Sequence, residues 1–130
     1  MQLRRFGQPG KEKPGVIINN KNYDVSALGE DFNEQFFETG GLTRLKEFVV
    51  KNSGSLPEVP ENTRLGSPVA RPSKIVCIGL NYADHATETN APFPSEPVIF
   101  MKASSSLVGP FDDIVIPKNS LKSDWEVELA

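Results

Sequence analysis

Four prolines, Pro57, Pro60, Pro68 and Pro72, punctuate residues 54–72 and constrain the fold more than any other feature. Each fixes φ near −65° and lacks an N–H, so none belongs inside a helix or a central strand. Little apolar periodicity survives between them. The stretch reads as a connector, with the domain boundary expected near its end. Residues 1–72 are then a small N-terminal domain with its connector, and residues 73–130 begin a second domain.

On the N-terminal side, residues 2–6 suit a first strand, and residues 7–14, rich in Gly, Pro and Lys, a turn or loop. Residues 15–19 form a second short strand, Asn19-Asn20 a hairpin turn, and residues 22–25 the return strand. From Asn33 the pattern changes. Phe36 and Phe37 lie in a short helical stretch ended by Gly40-Gly41. Leu42, Leu45, Phe48 and Val49 then recur at i, i+3, i+6 and i+7, one face of an amphipathic helix that Ser53-Gly54 closes.

On the C-terminal side, residues 73–79 read as a buried strand, β-branched and uncharged after Lys74. Residues 81–88 suit a short helix, 91–97 a proline-punctuated loop, 98–103 a strand, 104–106 a polar loop, 113–117 a short strand and 118–122 a turn. Residues 124–130 alternate strictly. Trp125, Val127 and Leu129 fall on one strand face; Asp124, Glu126 and Glu128 fall on the other. Neighbours on one face stand ~7 Å apart, so the carboxylates repel one another unless water or a cation separates them. The Trp face reads as core. The acidic face is either solvated or assembled around a hard metal ion, which takes oxygen ligands. The alternation reaches Ala130 with no turn or polar tail, so the expectation is the N-terminal part of a longer protein, with a truncated second domain.

A net charge of −3 gives no basic footprint, which argues against nucleic acid as a partner. No apolar run approaches the ~20 residues that cross a bilayer, so no membrane partner is expected. Arg4 and Arg5 have no apolar segment behind them, so no secretory signal is expected. The one cysteine, Cys77, sits in an apolar run and reads as a buried small hydrophobe rather than a nucleophile. A lone cysteine cannot form an internal disulfide, which fits a cytoplasmic location.

Chemistry rests on few residues. His85 is the only histidine, and on a helix Glu88 lies three residues on and faces it. A carboxylate beside an imidazole fixes its tautomer and raises its basicity, as a general base acting on water requires. The same spacing also describes an ordinary surface pair. Lys102 is a lone cation in an apolar strand; it either snorkels to the surface or reaches a site to bind a carboxylate or enolate oxygen. Ser104, Ser105 and Ser106 have no second histidine for a nucleophile triad, and no glycine spacing suits a phosphate loop.

Taken in order, Gly79-Leu-Asn-Tyr-Ala-Asp-His85, Glu88, Pro97-Val-Ile-Phe-Met-Lys102, Asp112-Asp113-Ile-Val-Ile-Pro117 and Asp124-Trp-Glu-Val-Glu-Leu-Ala130 resemble the start of the catalytic domain of the fumarylacetoacetate hydrolase family. Residues 73–130 carry the close resemblance; residues 1–72 resemble, more loosely, the small N-terminal domain of many bacterial members. The resemblance implies an α+β chain, a small N-terminal α/β domain followed by the start of a mixed β-sheet roll. It implies Glu126 and Glu128 as ligands of Mg²⁺ or Mn²⁺, with Ca²⁺ able to stand in. The third ligand, an Asp, would come later in the chain. It implies His85 and Glu88 as a water-activating dyad on a mobile lid helix, and Lys102 as the lysine that closes on the site. The implied activity is a metal-dependent hydrolase or lyase of small 2-oxo or 1,3-diketo acids, cleaving a C–C bond through a metal-bound enolate. Isomerisation or decarboxylation of oxo acids on the same site, ureidoglycolate lysis, and an inactive fragment lacking the third ligand are the alternatives. The 130 residues alone are expected to be inactive. The motif forms look most like diketo-deoxy sugar-acid hydrolases and ureidoglycolate lyases, and a homodimer is the implied assembly.

Overall fold

The computed structural model describes residues 1–126. Its first layer is an antiparallel sheet of β1 (Gln2–Phe6), β2 (Lys13–Ile18) and β3 (Lys21–Asp24), in the order β1-β2-β3. The register pairs Leu3 with Val16 and Val16 with Tyr23, so these three share the face that meets the helices. The hairpin between β2 and β3 turns on Asn19 and Asn20, at φ 50° and 62°. A two-residue turn matching strand twist needs positive φ at both positions, which asparagine tolerates.

Two helices cover that sheet face. Asn33 starts α1 (Glu34–Glu38) by accepting a hydrogen bond from the Phe36 N–H at 2.9 Å. Gly40, at φ 79°, swings the chain into α2 (Gly41–Lys51). A Cβ on Gly41 would lie 2.2 Å from the Phe36 ring, so the ring occupies the space a side chain would need. Val16, Val25, Phe32, Phe36 and Leu45 form the core, with Phe48 and Val49 partly buried beside it. The apolar face of α2 is narrower than its periodicity predicts, because Leu42 remains 49% exposed.

Residues 54–72 are tied along both edges of this sheet. The Asp24 N–H donates to the Pro57 carbonyl at 2.9 Å, and the Val59 N–H donates to the Asn22 carbonyl at 2.8 Å, outside β3. The Gly7 N–H donates to the Arg64 carbonyl at 3.0 Å, and the Gly66 N–H donates to the Arg5 carbonyl at 2.9 Å, outside β1. Proline is tolerated on such edges because its missing N–H can face outward. Further on, the Ala70 N–H donates to the Phe32 carbonyl at 2.8 Å, and the Ser73 N–H donates to Glu34 Oε1 at 2.9 Å.

A line of charges runs from the sheet into the second half of the chain. Buried Arg5 donates from Nε to Asp31 at 2.8 Å and lies 3.9 Å from Glu12. Arg64 donates from Nη1 to Glu12 at 3.0 Å and to the Gly7 carbonyl at 2.8 Å, and from Nε to Asp112 at 2.7 Å. Asp112 also accepts the Gly109 N–H at 2.7 Å.

The second sheet is an antiparallel pair, β4 (Ile75–Gly79) and β5 (Val98–Lys102), with Ile75 opposite Lys102 and Gly79 opposite Val98. The connection between them holds α3 (Ala83–Glu88), anchored through buried Ala86. Its C-terminus is a double cap: the Ala91 N–H donates to the Ala86 carbonyl at 2.9 Å, and the Asn90 N–H donates to the Thr87 carbonyl at 3.1 Å. This pattern needs a left-handed residue between helix and loop, and Asn90 supplies it at φ 53°.

Three expectations are corrected here. Residues 113–117 form no strand, and Ile114, Val115 and Ile116 are exposed. A β-branched apolar run suits a ladder, but no described strand lies alongside to complete one. Residues 124–126 are likewise not in a ladder, and Trp125 is 75% exposed instead of core; Val127, Glu128 and Leu129 lie outside the described residues. Cys77 is half-buried, because a two-stranded sheet covers its faces incompletely. Among the described residues no helix is long and apolar enough to cross a membrane.

Two predictions follow from these contacts. The hydrogen bond from Arg64, then that from the Gly109 N–H, holds the Asp112 carboxyl below the ordinary aspartate range. A depressed folded-state value gives stability that is present above the unfolded value, about 3.9, and is lost as pH falls through the folded one. The stability gap between wild type and Asp112→Asn should therefore be widest near neutrality and close at strongly acidic pH, as urea titrations across pH would show; a gap constant across that range would contradict it. At the end of α3, Asn90→Gly should be tolerated, whereas Asn90→Ala should cost about 1 kcal/mol, because a Cβ disfavours the left-handed region. Faster amide exchange at Ala91 in the alanine variant alone is the expected signature.

Candidate active site

The cavity that gathers the sequence-predicted residues opens between α3, the second sheet and residues 125–126, with a volume of about 810 Å³. One side is polar: Tyr82, Asp84, His85 and Glu88 from α3 and its approach, with Glu126 from the far end of the described chain. The other side is apolar: Ile78 from β4, Val98 and Phe100 from β5, and Trp125. Helical spacing brings the imidazole and the Glu88 carboxylate to one cavity, as the i, i+3 relation requires.

Leu80 shapes the mouth. It leaves β4 at φ 52°, a left-handed conformation that is costly for a branched side chain. That turn takes the chain out of β4, and after Asn81 and Tyr82 the chain enters α3. Strain of this kind is kept where surrounding structure over-determines it, and it clusters at functional sites.

Of the five residues singled out from sequence, the structure brings three together: His85, Glu88 and Glu126 line one cavity. Among the described residues no hydrogen bond or ion pair joins His85 to Glu88. Lys102 does not line the cavity and is exposed. By strand alternation, however, it lies on the same face of β5 as Val98 and Phe100, which do. Glu128 lies outside the described residues. Among the described residues no group of three or more His, Cys, Asp or Glu is arranged to hold a metal ion; of the expected ligand pair, only Glu126 is among them.

Tyr82, Asp84 and Trp125 are cavity residues that the sequence reading did not select as site residues. Tyr82 and Asp84 had a signal: both fall within the Gly79–His85 motif. Trp125 did not, because strict alternation assigned it to the face opposite Glu126. Without a ladder to hold the segment flat, both reach the same cavity.

The comparisons with known proteins follow the same residues. Residues 74–130 match the family described as fumarylacetoacetate hydrolase, C-terminal. The 2,4-didehydro-3-deoxy-L-rhamnonate hydrolase of a Sphingomonas species, strain SKA58, is 47% identical over 100% of this chain and 43% of its own length. A fumarylacetoacetate hydrolase from psychrophilic Exiguobacterium antarcticum superposes with a TM-score of 0.54 and 33% identity, over 88% of this chain and 39% of that one. A Mycobacterium smegmatis crystal structure provisionally named HpcE gives a TM-score of 0.65 and 27% identity, over 92% and 42%. The chain spans about 45% of the length of the first curated relatives it matches. The match to the fumarylacetoacetate hydrolase family thus rests on residues 74–130, the part of the chain that carries His85, Glu88 and Glu126.

Proposed function

We propose that this chain supplies part of the active site of a hydrolase that cleaves a C–C bond in a small diketo acid of the deoxy-sugar-acid type. The observation that carries the reading is the convergence of His85, Glu88 and Glu126, from two distant segments, on one cavity. The named activity of the Sphingomonas relative supports the substrate class, since a 2,4-didehydro-3-deoxy acid holds two carbonyls flanking one CH₂.

The charges of the cavity bear on this reading. Asp84, Glu88 and Glu126 line it together, and three carboxylates repel an anionic oxo acid. Turnover therefore calls for a cation. Carboxylate oxygens suit a hard ion, and Glu126 with Glu128 would hold Mg²⁺ or Mn²⁺. Such an ion, when bound, supplies polarisation of a substrate carbonyl. Lys102 would place a second positive charge on the cavity face of β5, against negative charge that develops on the substrate.

His85 removes a proton from water, and the hydroxide oxygen attacks the C4 carbonyl carbon. The C3–C4 bond breaks, its electron pair passes to the C2–C3 side as an enolate, and a proton returned to C3 makes a methyl group. One carboxylic acid and one 2-oxo acid leave, so that one water balances the reaction. Glu88, one helical turn along, lines the same cavity and is the carboxylate available to orient the imidazole. Ile78, Val98, Phe100 and Trp125 give the cavity an apolar side opposite the carboxylates.

In the full-length protein, His85→Ala should lower kcat on a 2,4-dioxo deoxy-sugar acid by ~10²–10⁴-fold. Metal affinity by calorimetry should stay near wild type, because the imidazole moves a proton and is not a ligand. Glu126→Gln should instead weaken Mg²⁺ and Mn²⁺ binding and activity together. Wild-type turnover in the His85 variant, or metal affinity that collapses with it, would overturn these assignments.

A further inference from the structure

Lys102 ends β5, and the chain then makes a 3₁₀ turn at Ser104–Ser106 and runs to Asp112 against the N-terminal unit. That run is fixed by contacts from the other half of the molecule. The Arg64 Nε donates to Asp112 at 2.7 Å, and the Gly109 N–H donates to the same carboxylate at 2.7 Å. Gly109 is buried between exposed neighbours, and a Cβ there would lie 2.2 Å from the Leu65 carbonyl oxygen. Arg64 is held in turn by the Gly7 carbonyl at 2.8 Å and by Glu12 at 3.0 Å. A guanidinium that grips a carboxylate with two nitrogens fixes direction as well as distance, which an ammonium cannot do.

The strand paired with β5 is secured at the same end. Ile75 lies opposite Lys102, and just before it Ser73 is hydrogen-bonded to Glu34 of α1. The Lys102 ammonium has no ion-pair or hydrogen-bond partner among the described residues, its backbone being held in the ladder opposite Ile75. Its position therefore depends on how its strand ends are held. We infer that Arg64 and Asp112 are positioning residues for Lys102: the N-terminal unit sets where the lysine stands relative to the cavity. The inference rests on the proposed role of Lys102 in turnover.

The test uses the full-length protein with Asp112→Asn, Arg64→Lys and the double variant. Asp112→Asn spares the Arg64 contacts to Gly7 and Glu12, so the N-terminal unit should stay folded. Each single variant should speed amide exchange across residues 103–112. Each should lower kcat on a 2,4-dioxo deoxy-sugar acid by about tenfold or more while KM changes little, as expected for a misplaced group. The double variant should be no worse than the worse single one, because both changes break one link. In a Lys102→Met background, Asp112→Asn should have no further effect on kcat. Faster exchange with unchanged kcat, or an equal loss of kcat with and without Lys102, would overturn the inference. Absence of wild-type turnover would count against the proposed function alone. In that event, the acetylation rate of Lys102 by acetic anhydride, measured against Lys118, still decides: a shift in Asp112→Asn supports the inference and an unchanged ratio ends it.

Discussion

The Arg64 guanidinium is the junction on which the two halves of the structure depend. It meets the Gly7 carbonyl and the Glu12 carboxylate of the β1–β2 connection and the Asp112 carboxylate, two segments each far from it in sequence. Glu12 in turn faces Arg5, which grips Asp31 ahead of the helices. Burial pushes the Glu12 carboxyl up, yet its backbone hydrogen bond, its bond from Arg64 and the two arginine charges together hold it below the ordinary glutamate range. Alternating signs along such a line make each member dependent on its neighbours, so removing one leaves a partly buried charge uncompensated.

This junction works because residues 54–72 stay close to the sheet. A three-stranded sheet has two open edges, which invite pairing with other chains. Here one passage of chain pairs outside β3 near Pro57 and Val59 and outside β1 near Arg64 and Gly66. The same passage that shields the edges thus delivers Arg64 to Asp112. Prolines that look like linker punctuation in the sequence are compatible with this course, since an edge segment needs donors on only one side.

That difference shows where the sequence was legible. The strands of the first sheet, the Asn19-Asn20 turn and α2 are written in local spacing, and the structure places them within a few residues of the expected positions. The helix carrying His85 and Glu88 was legible for the same reason. What depends on distant partners was not. Residues 113–117 have the composition of a strand, but composition does not name a neighbour to pair with. The assignment of Trp125 to a core presumed a flat strand. The edge pairing of residues 54–72 and the Arg64–Asp112 link join positions whose spacing carries no periodic signal. Of the candidate residues read from sequence, His85, Glu88 and Glu126 line one cavity, whereas Lys102 shares the β5 face of Val98 and Phe100 without lining it.

The helix over the cavity has one further consequence. α3 holds six residues, too few to persist as an isolated helix in water. Left-handed Leu80 stands on its approach and left-handed Asn90 on its exit, so both flanking turns are fixed at set distances from the helix. Because each helical residue turns the chain by about 100°, one inserted or deleted residue would swing His85 out of the cavity. The length of this segment is thus a coded quantity, as specific as the identity of the histidine it presents. Homologous chains that vary freely in the loop after Asn90 should keep the spacing from Leu80 to Asn90 unchanged.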